Sequence, residues 1–310
     1  MNNLNKSISV IEPVNEALEK TKILLFKPFN LEKWFIIGFC AWLTNLFCEG
    51  FGGGINLRLN GQTGSQTPQV PVEALNFFRN HTVAAIIITA AIITLFFAVL
   101  ILFLWLSSKG RFMFLDCLAK NKGQIRQPWK VFKQQANSLF GFRLLLVIVS
   151  LICMTALSIP MTAVLVLAKT TAVSIIAAGI LFFAILLLIF TAALILGLVQ
   201  CLTFDFVVPI MYLQRTGILA GWRQFGALFW GRFWKFILYV IFKVLIVFCI
   251  AAIMSIIVFF SCCCCCMGII LFIPYIGTVI LLPFFSFLRL YSLCFFRQFG
   301  SEFDVFLSAA

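Results

Sequence analysis

Charged side chains punctuate this chain so sparsely that its pattern is clearest in the gaps between them. Apolar stretches run from Lys33 to Glu49, Arg79 to Lys109, Arg143 to Lys169, Lys169 to Asp205 and Lys243 to Arg289. About 20 apolar residues cross a bilayer as α-helix, and the last stretch, extended backwards by Phe236–Phe242, suffices for two crossings. The pattern predicts six transmembrane helices, at 34–50, 84–107, 144–168, 172–200, 236–259 and 264–288. The first is the shortest and runs into the glycine-rich GFGGG. Pro160 is expected to kink the third, and Pro274 with Gly277 to interrupt the sixth.

The segments between spans keep a helical period but mix aromatic with basic residues. From Asp205 to Lys235, the side chains of Trp222, Phe225, Phe229 and Phe233 recur every three to four residues, which sets them on one helical stripe. Arg215, Arg223, Arg232 and Lys235 supply cations. Such a helix is expected to lie in the headgroup layer, aromatics toward the acyl chains and guanidinium groups outward.

The same grammar occurs earlier. Gly123, Pro128, Trp129, Lys130 and Phe132 parallel Gly217, Gly221, Trp222, Arg223 and Phe225 with one residue of slippage, and a third copy spans Ala17–Trp34. The chain therefore divides into three units of a single membrane domain. Each is a cytoplasmic interfacial amphipathic helix (1–33, 109–143, 205–235) leading into a transmembrane hairpin (34–107, 144–200, 236–288). The polar stretch 50–82 is the external loop of the first hairpin, and 289–310 a cytoplasmic tail. Expected lipid-interface residues are Trp129, Lys130, Trp222, Arg223, Trp230, Arg232, Trp234 and Lys235. The first interfacial helix is expected to end near Lys27, ahead of Pro28.

Composition narrows the class. Hydrophobic residues are 63% of the 310 and charged residues 11%, with a mean hydropathy of +1.11, which points to an all-α integral membrane protein. Of 23 lysines and arginines, 19 fall before the first span, in the two interfacial segments and after the sixth span. Only Arg58, Arg79 and Lys169 fall on the other side, and Lys243 lies within a span. This asymmetry places both termini in the cytoplasm. The formal charge of +13 then reads as topology and affinity for anionic lipid, since a nucleic-acid binder would gather it on a soluble domain. With the polar start MNNLNKS, no cleavable signal peptide is expected and the first span is expected to stay as an uncleaved anchor.

Candidate chemistry is sparse. The one histidine, His81, lies in the external loop, and the sequence has no HExxH, Gly-x-Ser-x-Gly or P-loop motif. Asn80-His81-Thr82 matches a glycosylation sequon and is read as a chance match. Asp116 and Asp205 occupy comparable places after the second and fourth spans, where an interfacial cap or an arginine partner is expected. An enzyme is not expected, nor a cofactor. Lys243 is expected to snorkel to the interface; the alternative is contact with a ligand in a polar cavity shared with Tyr275 and Thr278.

Among 12 cysteines, five form the tract Cys262–Cys266, at the outer turn of the third hairpin or the start of the sixth helix. If helical, Cys262 shares a face with Cys265 and Cys266, which become candidates for a soft metal ion or a disulfide. Acylation needs a cytoplasmic position and a eukaryotic host. The preferred reading is close helix packing, with no metal.

Three stretches carry a resemblance: PYIGTVILLPFFSFLRLYSLCFFRQFG with the preceding cysteine tract, LLFKPFNLEKWFIIGFCAWL near the amino terminus, and DFVVPIMYLQRTGILAGW. They resemble an uncharacterised family of bacterial multi-pass membrane proteins, similar to the membrane domain attached to some glycerophosphodiester phosphodiesterases. The resemblance implies a bacterial inner membrane and carries no activity. The expected function is non-catalytic binding of lipid or a partner, or scaffolding, with a homo-oligomer or a second membrane protein as further partners. A transporter or exporter of a small or lipid-like solute is the alternative.

Overall fold

A computed structural model of the chain describes residues 8–46, 82–170, 175–263 and 273–307, and within them every regular element is helical. The elements run α1 (Glu12–Phe26), α2 (Leu31–Asn45), α3 (Thr82–Lys120), α4 (Arg126–Val131), α5 (Lys133–Thr170) and α6 (Ile175–Leu202). A π-helical turn at Thr203–Val207 follows, then α7 (Val208–Gln214), α8 (Ile218–Gly231), α9 (Phe233–Cys263), α10 (Pro274–Ile280) and α11 (Leu282–Phe296). Two 3-10 turns, Arg297–Phe299 and Ser301–Phe303, close the described chain.

Four helical runs are long and apolar enough to cross a membrane: 86–120, 133–163, 178–214 and 233–257. Ile92, Phe96, Ile152, Phe183, Phe190 and Phe248 stand exposed along them, an apolar surface far larger than water tolerates. A helix satisfies its own backbone hydrogen bonds, so these faces suit lipid. The chain is a membrane protein, and the four runs contain or overlap the second to fifth predicted spans. The first predicted span begins in α2, fifteen residues long, and its end lies outside the described residues. The sixth begins outside them too, and its described part is two helices rather than one.

The break there falls later than expected. Pro274 opens α10 behind an extended Ile273, Gly277 sits inside that helix, and the interruption comes at Leu281, just ahead of Pro283. Pro283 has no N–H to give the Val279 carbonyl four residues back. Trp34 Nε1 donates to that carbonyl instead, at 2.9 Å.

The core lies at the ends of the long helices. Phe112, Leu115 and Cys117 meet Phe206, Val207 and Met211, Ile37 and Leu43, Phe225 and Phe236, and Leu290, Phe295 and Phe296. Pro13, Ala17, Thr21, Leu24 and Leu25 form the buried stripe of α1, which packs on α11. The Asn30 side chain caps α2 by accepting from the Lys33 backbone N–H at 3.3 Å. The α1 helix ends at Phe26 ahead of Pro28, as expected.

Two interfacial expectations are corrected. Helix α3 runs unbroken from its span to Lys120, so Lys109, Arg111 and Asp116 are buried in the core layer rather than laid on a surface. Part of the Trp222 stripe turns inward: Phe225 is 1% exposed and stacks on Phe206 with ring centroids 5.3 Å apart, while Phe233 stays exposed. A three-four aromatic stripe reports an amphipathic helix but not whether lipid or protein covers it.

Candidate functional site

The site is set up by one proline. In the turn Thr203–Val207 the Val208 N–H donates to the Thr203 carbonyl five residues back, the π register. Continued one residue, that register would pair Phe204 O with the N–H of residue 209, which is proline. Pro209 also clashes with an α-helical carbonyl at position 205, which explains the widened turn. The orphaned Phe204 carbonyl accepts from Arg289 Nη1, and Asp205 is presented inward. Such turns cluster at functional positions.

Asp205 is 1% exposed and carries an ion cluster. Lys243 Nζ lies 2.5 Å from Oδ2, the Tyr239 hydroxyl donates to the same oxygen at 3.0 Å, and Cys201 Sγ lies 3.4 Å away. Arg289 Nη1 stands 3.9 Å from Oδ1. The Arg289 guanidinium also lies 3.9 Å from the Phe204 ring centroid, and that of Arg111 4.9 Å. Two cavities open on Lys243. One, of about 110 Å³, is lined by Leu194, Leu198, Cys201, Val240, Val244 and Val247. The other, of about 30 Å³, is bounded by Thr44, Asn45, Phe204, Asp205 and Arg289. Neither cavity includes Tyr275 or Thr278.

The neighbouring unit repeats this chemistry at smaller scale. Asp116 accepts from the Tyr212 hydroxyl at 2.8 Å and pairs with Lys120 at 2.7 Å. Asp116 and Asp205, matched in sequence, thus each take one tyrosine hydroxyl and one ammonium. Nearby, Arg143 Nη1 donates to Ser107 Oγ and Ser108 Oγ, both at 3.1 Å. Lys109 Nζ lies 4.1 and 4.3 Å from the Trp105 and Trp129 ring centroids. Lys33, at the start of α2, donates to Leu24 O at 2.8 Å and Asn121 Oδ1 at 2.7 Å, and burial lowers its ammonium below the usual lysine value.

The expected site residues separate accordingly. Trp129 belongs to the Lys109 cage, while Lys130 beside it is exposed. Trp222 is half-buried against Phe142 and Phe225, with Arg223 exposed. Trp230 and Trp234 are each 79% exposed. Arg232 reaches the Phe299 ring at 5.5 Å, and Lys235 Nζ donates to Ile8 O at 3.2 Å. Lys243 does not snorkel: at 5% exposure it is sealed against Asp205, because a carboxylate of the preceding span reaches it first. Tyr275 donates to Phe35 O at 3.1 Å within a ring cluster including Phe39 and Trp42, and does not meet Lys243. Cys262 lies in the last turn of α9, which ends at Cys263, and Cys265 and Cys266 lie outside the described residues. Among the described residues no three His, Cys, Asp or Glu gather as a metal site. Sequence reasoning missed Arg289 and Tyr239; the signal for the turn that gathers them was Pro209, four residues after an acid.

A family model described as a family of unknown function, DUF7544, matches residues 8–277. Neither the curated proteins nor the solved structures contain a match to the chain.

Proposed function

The chain belongs to the DUF7544 family, a family of unknown function, and from that premise we propose a non-catalytic multi-pass membrane protein that binds anionic lipid at one face. In this reading six helices cross as three hairpins, each preceded by an interfacial helix. Both termini and the basic segments face the cytoplasm of a bacterial inner membrane. The likeness to the membrane domain attached to some glycerophosphodiester phosphodiesterases belongs to the same reading.

The observation that carries it is Trp230 with Trp234, both 79% exposed where α8 turns into the apolar run of α9. Arg232 and Lys235 stand beside them, exposed. Indole rings with basic neighbours at the mouth of a span suit the headgroup layer. Each cation near an anionic surface contributes about 1 kcal/mol. Neutralising Arg232 and Lys235 to glutamine should therefore cut the preference for phosphatidylglycerol over phosphatidylcholine roughly 5-fold per charge. The check is mass-spectrometric counting of lipid retained by protein exchanged into mixed nanodiscs. Replacing Trp230 and Trp234 with alanine should lower total retention, and full retention in both variants would refute the reading.

The cluster at Lys243, a residue that lines two cavities, favours a second reading, passage of a small anionic or lipid-like solute. Flux across liposomes that stops when Lys243 is changed to methionine, in a variant that still folds, is the observation that would move the first reading aside.

A further inference from the structure

We propose that Arg289 and Ser286, on one face of α11, form a buried oxyanion site that grips a carboxylate or phosphate group. The inference goes beyond lipid contact at the surface. Charge is unbalanced in the core: among the described residues Lys109, Arg111, Arg143, Lys243 and Arg289 are buried cations, against only Asp116 and Asp205 as buried acids. Most of the cations are answered. Lys109 has its indole cage, Arg143 its two hydroxyls, and Lys243 its carboxylate.

Arg289 is answered on one edge only. Nη1 serves the Phe204 carbonyl, while Nε and Nη2 find no hydrogen-bond partner among the described residues, in a side chain 2% exposed. A guanidinium binds an oxyanion side-on through Nε and the terminal nitrogen beside it, giving two parallel hydrogen bonds. The unanswered edge is that one. Ser286, 0% exposed and three residues earlier on the same helix face, has a hydroxyl equally without a partner. Buried donors left so cost free energy; an oxyanion on the Nε–Nη2 edge takes up two of them, with the Ser286 hydroxyl, one turn away on α11, as the proposed third donor. Arg289 lines the 30 Å³ cavity beside Lys243 and Asp205, room for a group of a few heavy atoms. Arg111 and Lys243 add positive charge nearby, and Asp205 is the buried acid that lines the cavity among the described residues.

The test uses the full chain purified in detergent and stripped of lipid, titrated calorimetrically with acetate, with inorganic phosphate and with chloride. Nanodiscs of phosphatidylcholine doped with phosphatidic acid provide the lipid-borne form of the same group. Saturable binding of acetate or phosphate is expected, weakened at least about tenfold in R289K, because lysine offers a point charge in place of the fork. S286A should weaken it several-fold. Since the Ser286 hydroxyl has no hydrogen-bond partner among the described residues, S286A remains informative if R289K does not fold. A response confined to phosphatidic acid and lost in the same variants supports the site and assigns its source to lipid. Chloride binding as well as the oxyanions, affinity unchanged in both variants, or no saturable response to any probe would each overturn the proposal.

Discussion

Replacing Lys243 with methionine should destabilise the protein by about 3–5 kcal/mol, the usual penalty for leaving one member of a buried ion pair uncompensated. In apparent Tm that is a fall on the order of 10 °C. Without the ammonium, Asp205 keeps the Tyr239 hydroxyl and Cys201, while Arg289 Nη1 remains at 3.9 Å, beyond hydrogen-bond reach. D205N should be as damaging for the complementary reason, since it leaves Lys243 and Arg289 buried without an anion. The double variant D205N/K243M removes both halves of the pair, so its loss should fall well short of the sum, and the coupling energy is the sharpest readout. A thiol-reactive dye can follow unfolding, because Cys40, Cys117 and Cys294 are buried in the fold. If K243M costs under about 1 kcal/mol, the ammonium reaches water after all and the snorkelling expectation returns.

That expectation shows what a sequence discloses in a protein of this kind. Four spans were visible because twenty apolar residues in a row have few alternatives, and they are the runs the structure finds. The place of the Asp205 segment was also visible as a repeated pattern. Its orientation was not. Phe225 turns from lipid to Phe206, and Lys243 from interface to carboxylate, because both outcomes depend on what packs across from them. In a membrane helix, lipid and protein neighbours are equally apolar, so hydrophobic periodicity cannot tell a buried face from a lipid-facing one. The partnership of Asp205 with Arg289 spans 84 residues of sequence, and was anticipated only as a generic arginine partner. Its geometry follows from Pro209, which creates the acceptor that Arg289 fills. Pro283 repeats the device for Trp34. Read this way, prolines in the core layer mark carbonyls that must be served from another helix.

Gly110→Ala should cost about 1–2 kcal/mol net, even though alanine is the better helix former. A Cβ at Gly110 would sit 2.7 Å from Leu43 Cβ and 2.8 Å from both the Leu43 carbonyl carbon and the Thr44 nitrogen. Two of those three atoms are backbone, so no rotamer change relieves them, and α2 must move off α3. That movement would also strain the hydrogen bond from Ser107 Oγ to Thr44 O, now 2.8 Å, and open the wall of the Lys243 cavity at Thr44 and Asn45. Overpacking of this kind costs about 1–3 kcal/mol, sometimes more, against a gain of about 1 kcal/mol in helix propensity. Gly141 supplies the control. A Cβ there meets nothing within 4 Å, so Gly141→Ala keeps the propensity gain and should stabilise by up to about 1 kcal/mol. Thermal unfolding of the two variants beside the parent should therefore move in opposite directions. Equal behaviour would mean that α2 lies farther from α3 than the Gly110 contact requires. Because α2 also bounds the cavity that Arg289 lines, oxyanion binding should weaken in G110A and hold in G141A.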